Sequence, residues 1–264
     1  MIRYNGAPVS FLSVLGVAFM IMGCAESTEN LDRQAETMDR SATPIINGAA
    51  DNHDEVVSLA ETESGAGLCT GTIVATKGST GYVLTAAHCC EPGALPTIVG
   101  VGAAFRTAVK HPITDVLAHP SYSGEASSPY DFCMVSFTGA DASTKTIPPI
   151  PPELDAVEAG AALDAVGFGR TNTNPQVPLT DPRRLHVMYR VIDFPSDRLI
   201  TRFDGREGGI CPGDSGGPDL LTLGEKTYVF GVHSTVSTAH CNGTSKSGTV
   251  SKVYPWIMAY IRRP

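Results

Sequence analysis

Along residues 45–264 the apolar positions come in short runs, often alternating with polar ones, and each run ends in turn-forming Gly, Pro, Ser, Thr, Asn or Asp. Segments 71–76 (GTIVAT), 81–85 (GYVLT), 132–137 (FCMVSF), 161–167 (AALDAVG) and 228–233 (YVFGVH) have the length and flanks of strands. Short strands separated by turns in this way predict an all-β sandwich or barrel. Residues 251–262 (SKVYPWIMAYIR) break the pattern, because Val253, Trp256, Ile257, Tyr260 and Ile261 fall on one side of a helix and Pro255 is tolerated in a first turn. One terminal helix packed on a β body is therefore expected. The chain has no internal repeat at the level of sequence, and no glycine fingerprint leads from a strand into a long helix, which excludes a solenoid and a dinucleotide-binding fold.

The amino end follows another pattern. No charge occurs between Arg3 and Glu26, and residues 8–22 (PVSFLSVLGVAFMIM) are mostly apolar. A spanning helix needs about 20 mainly apolar residues, and this shorter run is interrupted by Pro8, Ser10, Ser13 and Gly16. Residues 1–23 are read as a secretory signal. Its last residues, Ile21-Met22-Gly23-Cys24, resemble the lipobox of bacterial lipoproteins, which implies lipid on Cys24; a plain signal cleaved nearby is the alternative. Residues 24–44 then turn polar, with Glu26, Glu29, Asp32, Glu36 and Asp39 against two arginines, and read as a tether or propeptide. The third segment is a single body from 45 to 264.

Composition narrows the classes. With 42% hydrophobic and 17% charged residues the body is globular, and a formal charge of −8 with no long basic run leaves nucleic acid without a footprint. The seven histidines form no HExxH and Cys89-Cys90 lacks zinc-finger spacing, so neither metal nor cofactor is expected. Seven cysteines in an exported chain imply disulfides, and setting Cys24 aside for lipid leaves an even six.

Three segments carry the chemistry: Leu84-Thr85-Ala86-Ala87-His88-Cys89, Tyr130-Asp131-Phe132-Cys133, and Cys211-Pro212-Gly213-Asp214-Ser215-Gly216-Gly217-Pro218. A serine hydroxyl is a weak nucleophile at neutral pH. It needs a base within hydrogen-bond reach and a third group that fixes the base's tautomer and stabilises its cation. His88 and Asp131 offer both to Ser215. Glycines around the serine let backbone N–H groups, those of Gly213 and Ser215, converge on a developing oxyanion.

With these motifs the chain resembles the trypsin/chymotrypsin-like serine peptidases from Ile45 to its end. Residues 45–48 (IING) resemble the family's mature amino terminus and 69–73 (CTGTI) the strand before the histidine. Residues 119–122 (HPSY) and 166–171 (VGFGRT) are similar to two further family motifs, with Phe168 in place of a tryptophan. The resemblance implies two six-stranded antiparallel β-barrels with a C-terminal helix, and a serine endopeptidase that is monomeric and acts on proteins or peptides. It also implies bridges Cys69–Cys89 and Cys211–Cys241. Cys90 and Cys133 remain, as a third bridge or as two buried thiols. The family's calcium loop has no acidic counterpart between residues 91 and 110.

By the same resemblance the chain is a zymogen in which a freed Ile45 amino group pairs with Asp214, and Ser234 steadies Asp131. The primary pocket is then assigned to Gly209, Ile210, His233, Ser234, Val236 and Gly248. Gly209 provides no carboxylate for a Lys or Arg substrate. His233 points instead to Glu or Gln, as in bacterial glutamyl endopeptidases, unless protein groups satisfy its ring and Val236 narrows the pocket to small aliphatic residues. Two other classes stay open. One is a catalytically silent protease-fold binding module. The other is an esterase or lipase, because Gly213-Asp214-Ser215-Gly216-Gly217 also satisfies G-x-S-x-G and could recruit Asp219 with His233 or His240. Outer-membrane or surface display, or secretion, is the expected location.

Overall fold

A computed structural model describes residue 45 and residues 48–125, 128–180, 182–193, 198–202 and 209–264. The signal at 1–23, Cys24 and the segment 24–44 lie outside the described residues. Among the described residues, twelve strands form two closed antiparallel barrels. The first contains β1 (Val56–Ala60), β2 (Cys69–Lys77), β3 (Thr80–Thr85), β4 (Ile98–Val101), β5 (Val109–Ala118) and β6 (Cys133–Thr138), and β1 closes it by pairing with β4. The second contains β7 (Ala162–Gly167), β8 (Leu185–Asp193), β9 (Arg198–Arg202), β10 (Pro218–Leu223), β11 (Lys226–Val236) and β12 (Thr244–Thr249), closed by β7 with β10. The strand order 1-2-3-6-5-4 of the first recurs in the second, so the connectivity is duplicated although the sequence is not.

Alternation explains which faces meet. In β2 and β3 the residues Ile73 and Val83 pair across the ladder and are fully buried with Val57, Leu59, Val99, Val135 and Phe137. The other apolar set, including Leu84, Phe132, Met134, Val166, Phe168, Val229 and Phe230, joins residues of both barrels in one continuous cluster. Burying apolar surface is worth about 25 cal/mol per Å², and this shared cluster holds the interbarrel seam from which the loops of the site project. The terminal helix (Tyr254–Ile261) starts after a short 3-10 turn, with Pro255 in its first turn, and buries Ile257 and Tyr260.

All six described cysteines are bridged: Cys69–Cys89, Cys90–Cys133 and Cys211–Cys241. The Cα atoms of Cys90 and Cys133 are 6.6 Å apart, within bridging range, so the pair that sequence left open is a disulfide. It closes a separation of 43 residues, for which chain entropy predicts stabilisation of about 4 kcal/mol.

Candidate active site

Each residue singled out for chemistry sits on a loop flanked by barrel strands. His88 lies in the 3-10 turn Ala87–Cys90 just after β3, Asp131 just before β6, and Ser215 just before β10. The disulfide Cys90–Cys133 staples the first two loops together, since Cys90 is two residues beyond His88 and Cys133 two beyond Asp131. His88 Nδ1 is 2.8 Å from Asp131 Oδ2, and the His88 backbone N–H donates to Oδ1 at 2.9 Å. Ser234 Oγ donates to Oδ2 at 2.6 Å. The carboxylate is 1% exposed and the imidazole 23%. A carboxylate only accepts, so Nδ1 carries the proton and Nε2 presents a lone pair.

The turn that carries Ser215 is fixed from the other barrel. Thr70, in β2, donates its backbone N–H to the Ser215 carbonyl at 2.8 Å and its hydroxyl to the Gly213 carbonyl at 2.8 Å. The same hydroxyl accepts the Phe168 N–H at 3.0 Å. Cys89 Sγ, next to His88, lies 3.7 Å from the Ser215 carbonyl oxygen. Gly213 and Gly216 adopt φ of 102° and 81°, open to glycine at no steric cost. A Cβ on Gly216 would stand 1.9 Å from Thr85 Oγ1. Among the described residues the N–H groups of Gly213 and Ser215 have no acceptor, and Ser215 Oγ has no partner, His88 included. Bonds of that last kind often tighten only with substrate bound.

A second His–Asp couple lies on the inner side of this turn. His233 Nε2 is 2.8 Å from Asp219 Oδ1 and Nδ1 is 3.2 Å from the Asp214 carbonyl oxygen, with both side chains 1% exposed. This is the pairing an esterase reading would recruit, but its second nitrogen meets a backbone carbonyl rather than Ser215 Oγ, and the barrels replace the strand–helix alternation that reading requires. Neither ring nitrogen is left for a substrate carboxylate, so the satisfied histidine is the arrangement found.

Asp214 itself is buried, accepting the N–H of Gly169 at 2.7 Å and of Cys211 at 2.8 Å. Burial raises its carboxyl to about 6, against the opposing pull of the His233 charge and those two N–H groups. Ile45 is also fully buried.

The pocket beside Ser215 holds about 130 Å³, well below the ~300–1,000 Å³ of typical ligand clefts. Ile210, Cys211, His233, Ser234 and Val236 line it, together with Pro212 and Thr235. Two assigned pocket residues are not among its walls. Gly209 is buried one residue before Ile210. Gly248 pairs with Val232 across the ladder, and a Cβ there would come 2.5 Å from Phe132 Cζ, so its missing side chain makes room for that ring. Sequence reasoning missed Thr70 and Tyr189; the latter's hydroxyl donates to Asp219 Oδ1. Thr70 lay inside a quoted motif, whereas Tyr189 gave no signal.

Comparison with known proteins gives the same region a lineage. A family model described as Trypsin matches residues 45–257. The chain is 26% identical over 210 residues to serine protease SP24D of Anopheles gambiae, covering 74% of this chain and 72% of that one. It is 26% identical over 222 residues to human granzyme M, covering 76% and 80%. Chymotrypsin-like elastase family member 1 of Macaca fascicularis is 26% identical over 206 residues, covering 72% and 76%.

Proposed function

The chain belongs to the trypsin family, and from that premise we propose that it is a serine endopeptidase whose nucleophile is Ser215, whose base is His88 and whose orienting acid is Asp131. The observation that carries this is the Asp131–His88 couple, doubly bonded and held by Ser234, beside a serine turn with two uncommitted N–H groups. Ser215 Oγ attacks the scissile carbonyl while His88 Nε2 takes its proton. Asp131 keeps the imidazole in the accepting tautomer and stabilises the cation. The N–H groups of Gly213 and Ser215 bind the oxyanion, and His88 returns the proton to the leaving amine. Water then releases the acyl-enzyme by the same steps. Mass spectrometry of peptides produced by the mature protein and by a Ser215→Ala control tests the activity. Peptide products appearing equally in both would overturn it.

For the residue before the cleaved bond, the reading supported best is small and aliphatic. The pocket is small, Ile210 and Val236 make it apolar, and both His233 nitrogens already have protein partners. A hydrogen-bonding site discriminates strongly only when its polar group is otherwise unpaired. On peptides differing only at that residue, kcat/KM should be highest for Ala or Val, with Glu, Phe and Arg lower by about tenfold or more. A Glu substrate ranking first would mean that the imidazole leaves the Asp214 carbonyl on binding.

Three disulfides mark an exported protein from an oxidising compartment. For its location we propose a bacterial lipoprotein anchored through Cys24, with residues 25–44 as tether. Ala25 after the cysteine is not the Asp that favours inner-membrane retention, so display on the outer membrane or surface follows. Cys24→Ser should release the protein from the membrane fraction or leave it unprocessed. Wild-type protein recovered solely as soluble, unlipidated enzyme would refute the anchor.

A further inference from the structure

The buried set His233, Asp219 and Tyr189 takes no part in the chemistry assigned above, yet it contacts the nucleophile turn directly. Three bonds from His233 straddle Ser215. Its ring Nδ1 reaches the Asp214 carbonyl at 3.2 Å, its backbone N–H donates to the Gly217 carbonyl at 2.8 Å, and its own carbonyl accepts the Gly216 N–H at 2.8 Å. Behind the ring, Asp219 Oδ1 takes Nε2 at 2.8 Å and the Tyr189 hydroxyl as well. Asp219 Oδ2 is buried with no hydrogen-bond partner among the described residues.

Both ring nitrogens face groups that only accept, a carbonyl and a carboxylate, so both carry protons and the ring is a cation. The Asp214 carbonyl and the Ser215 N–H belong to one peptide unit. In a trans peptide those two groups point in opposite directions. A carbonyl drawn inward by the imidazolium therefore turns the Ser215 N–H outward, toward the cleft. We infer that Tyr189, Asp219 and His233 are positioning residues for the oxyanion donor: the tyrosine and aspartate hold the imidazolium, and the imidazolium holds the peptide plane that aims the Ser215 N–H. The Gly217 N–H, which donates to the same Asp214 carbonyl at 2.8 Å, shares that task, so losing the cation misaims the donor without abolishing it.

The charge state agrees with this. Burial, the largest single influence, pulls His233 down, but the charge and hydrogen bond of Asp219, with Asp214, outweigh it and leave the ring above the ordinary histidine value. The groups facing the set are Asp219 from β10, Tyr189 from β8, Asp214 from the turn, and Asp164 of β7, whose charge acts on Tyr189. Once pH rises through the raised value, the ring keeps one proton and must release either the carbonyl or the carboxylate.

The inference rests on Ser215 being the nucleophile, but its first test does not need activity. Nitrogen-15 NMR of the imidazoles in the mature, inhibitor-free protein should show both His233 nitrogens protonated at pH 7; a neutral ring there overturns the proposal even if the peptidase reading stands. In the second test, Asp219→Asn keeps an acceptor for Tyr189 and removes the anion. Its kcat should fall by roughly 10- to 100-fold, a part of the loss seen when an oxyanion donor is deleted. KM should stay within about threefold. Affinity for a peptide aldehyde, whose adduct carries the oxyanion, should fall in step with kcat, and the alkaline limb of the pH profile should move to lower pH. Tyr189→Phe should do the same more weakly, and it serves where Asp219→Asn does not fold. A folded variant with wild-type kcat and aldehyde affinity refutes the positioning role, as does equal weakening of substrate and aldehyde.

Discussion

Replacing Ser215 by alanine should lower kcat by on the order of 10⁴-fold or more while leaving the melting temperature almost unchanged. The first half follows from removal of the only atom that forms the acyl bond. The second follows from the local geometry, since Ser215 Oγ has no hydrogen-bond partner among the described residues and the turn is held by backbone bonds to Thr70 and His233. His88→Ala should cost a similar factor, and the double variant no more than either alone, because nucleophile and base act in one step. That non-additivity also separates the two His–Asp couples. If His233 and Asp219 were the base and acid, as an esterase reading would have them, His88→Ala would be nearly silent. Undiminished hydrolysis by Ser215→Ala would remove Ser215 from the mechanism, and undiminished hydrolysis by His88→Ala would remove His88.

What the sequence made legible was the part written in local motifs. His88, Asp131 and Ser215 each lie in a short segment whose neighbours have their own geometric task, and the strand pattern around them is apolar enough to read. Strand β12 (TSKSGT) contains no large apolar residue; its inward positions are Ser245 and Ser247, small hydroxyls that fill space beside β9 and β11, so hydrophobic periodicity passes over it. β5 carries Pro112 and mostly half-exposed side chains, which hides a strand of 10 residues in the same way. The duplicated connectivity is invisible because it is a property of pairing, not of residue identity. His233 was visible as a histidine near the pocket, but its role turns on Tyr189 and Asp219, 44 residues before and 14 residues before it in the chain, and only folding joins them. Gly248 was assigned to the primary pocket by family resemblance, whereas the ring of Phe132 is what forbids a side chain there.

Activation should leave a mature chain beginning Ile45-Ile46-Asn47-Gly48, and the pH dependence of stability should change sign of effect with that cut. In the intact chain the buried Asp214 carboxylate accepts two backbone N–H groups and, among the described residues, no hydrogen bond from a side chain, and its carboxyl lies at about 6. A folded value raised above the unfolded 3.8 means that the protein is favoured while the carboxyl is protonated. The contribution of Asp214 to the stability of the uncut protein is thus full below about pH 4, falls as pH rises toward 6, and is lower by roughly 3 kcal/mol above that. Ile45, a β-branched residue, also has φ of 44° in the intact chain, a conformation its side chain disfavours. Cutting before Ile45 frees that torsion and creates an ammonium that can satisfy the buried carboxylate, a pairing that burial makes strongly favourable once both charges are present. The route to the cut is unusual, because Pro44 precedes Ile45 and the nearest basic site, Arg40, would leave four extra residues, 41–44. A trypsin-like activator is therefore not expected to make it. Melting of Ser215→Ala protein, cut and uncut, should diverge as pH goes from 4 to 7, with the cut form higher. Asp214→Asn should flatten the uncut curve and reduce activity of the cut enzyme by about 10²-fold or more, since the oxyanion turn loses its anchor. Amino-terminal sequencing is the direct check. An active enzyme that starts at Cys24 or Ser41, or melting curves that stay parallel across this range, would require an activation geometry without the Ile45–Asp214 pair.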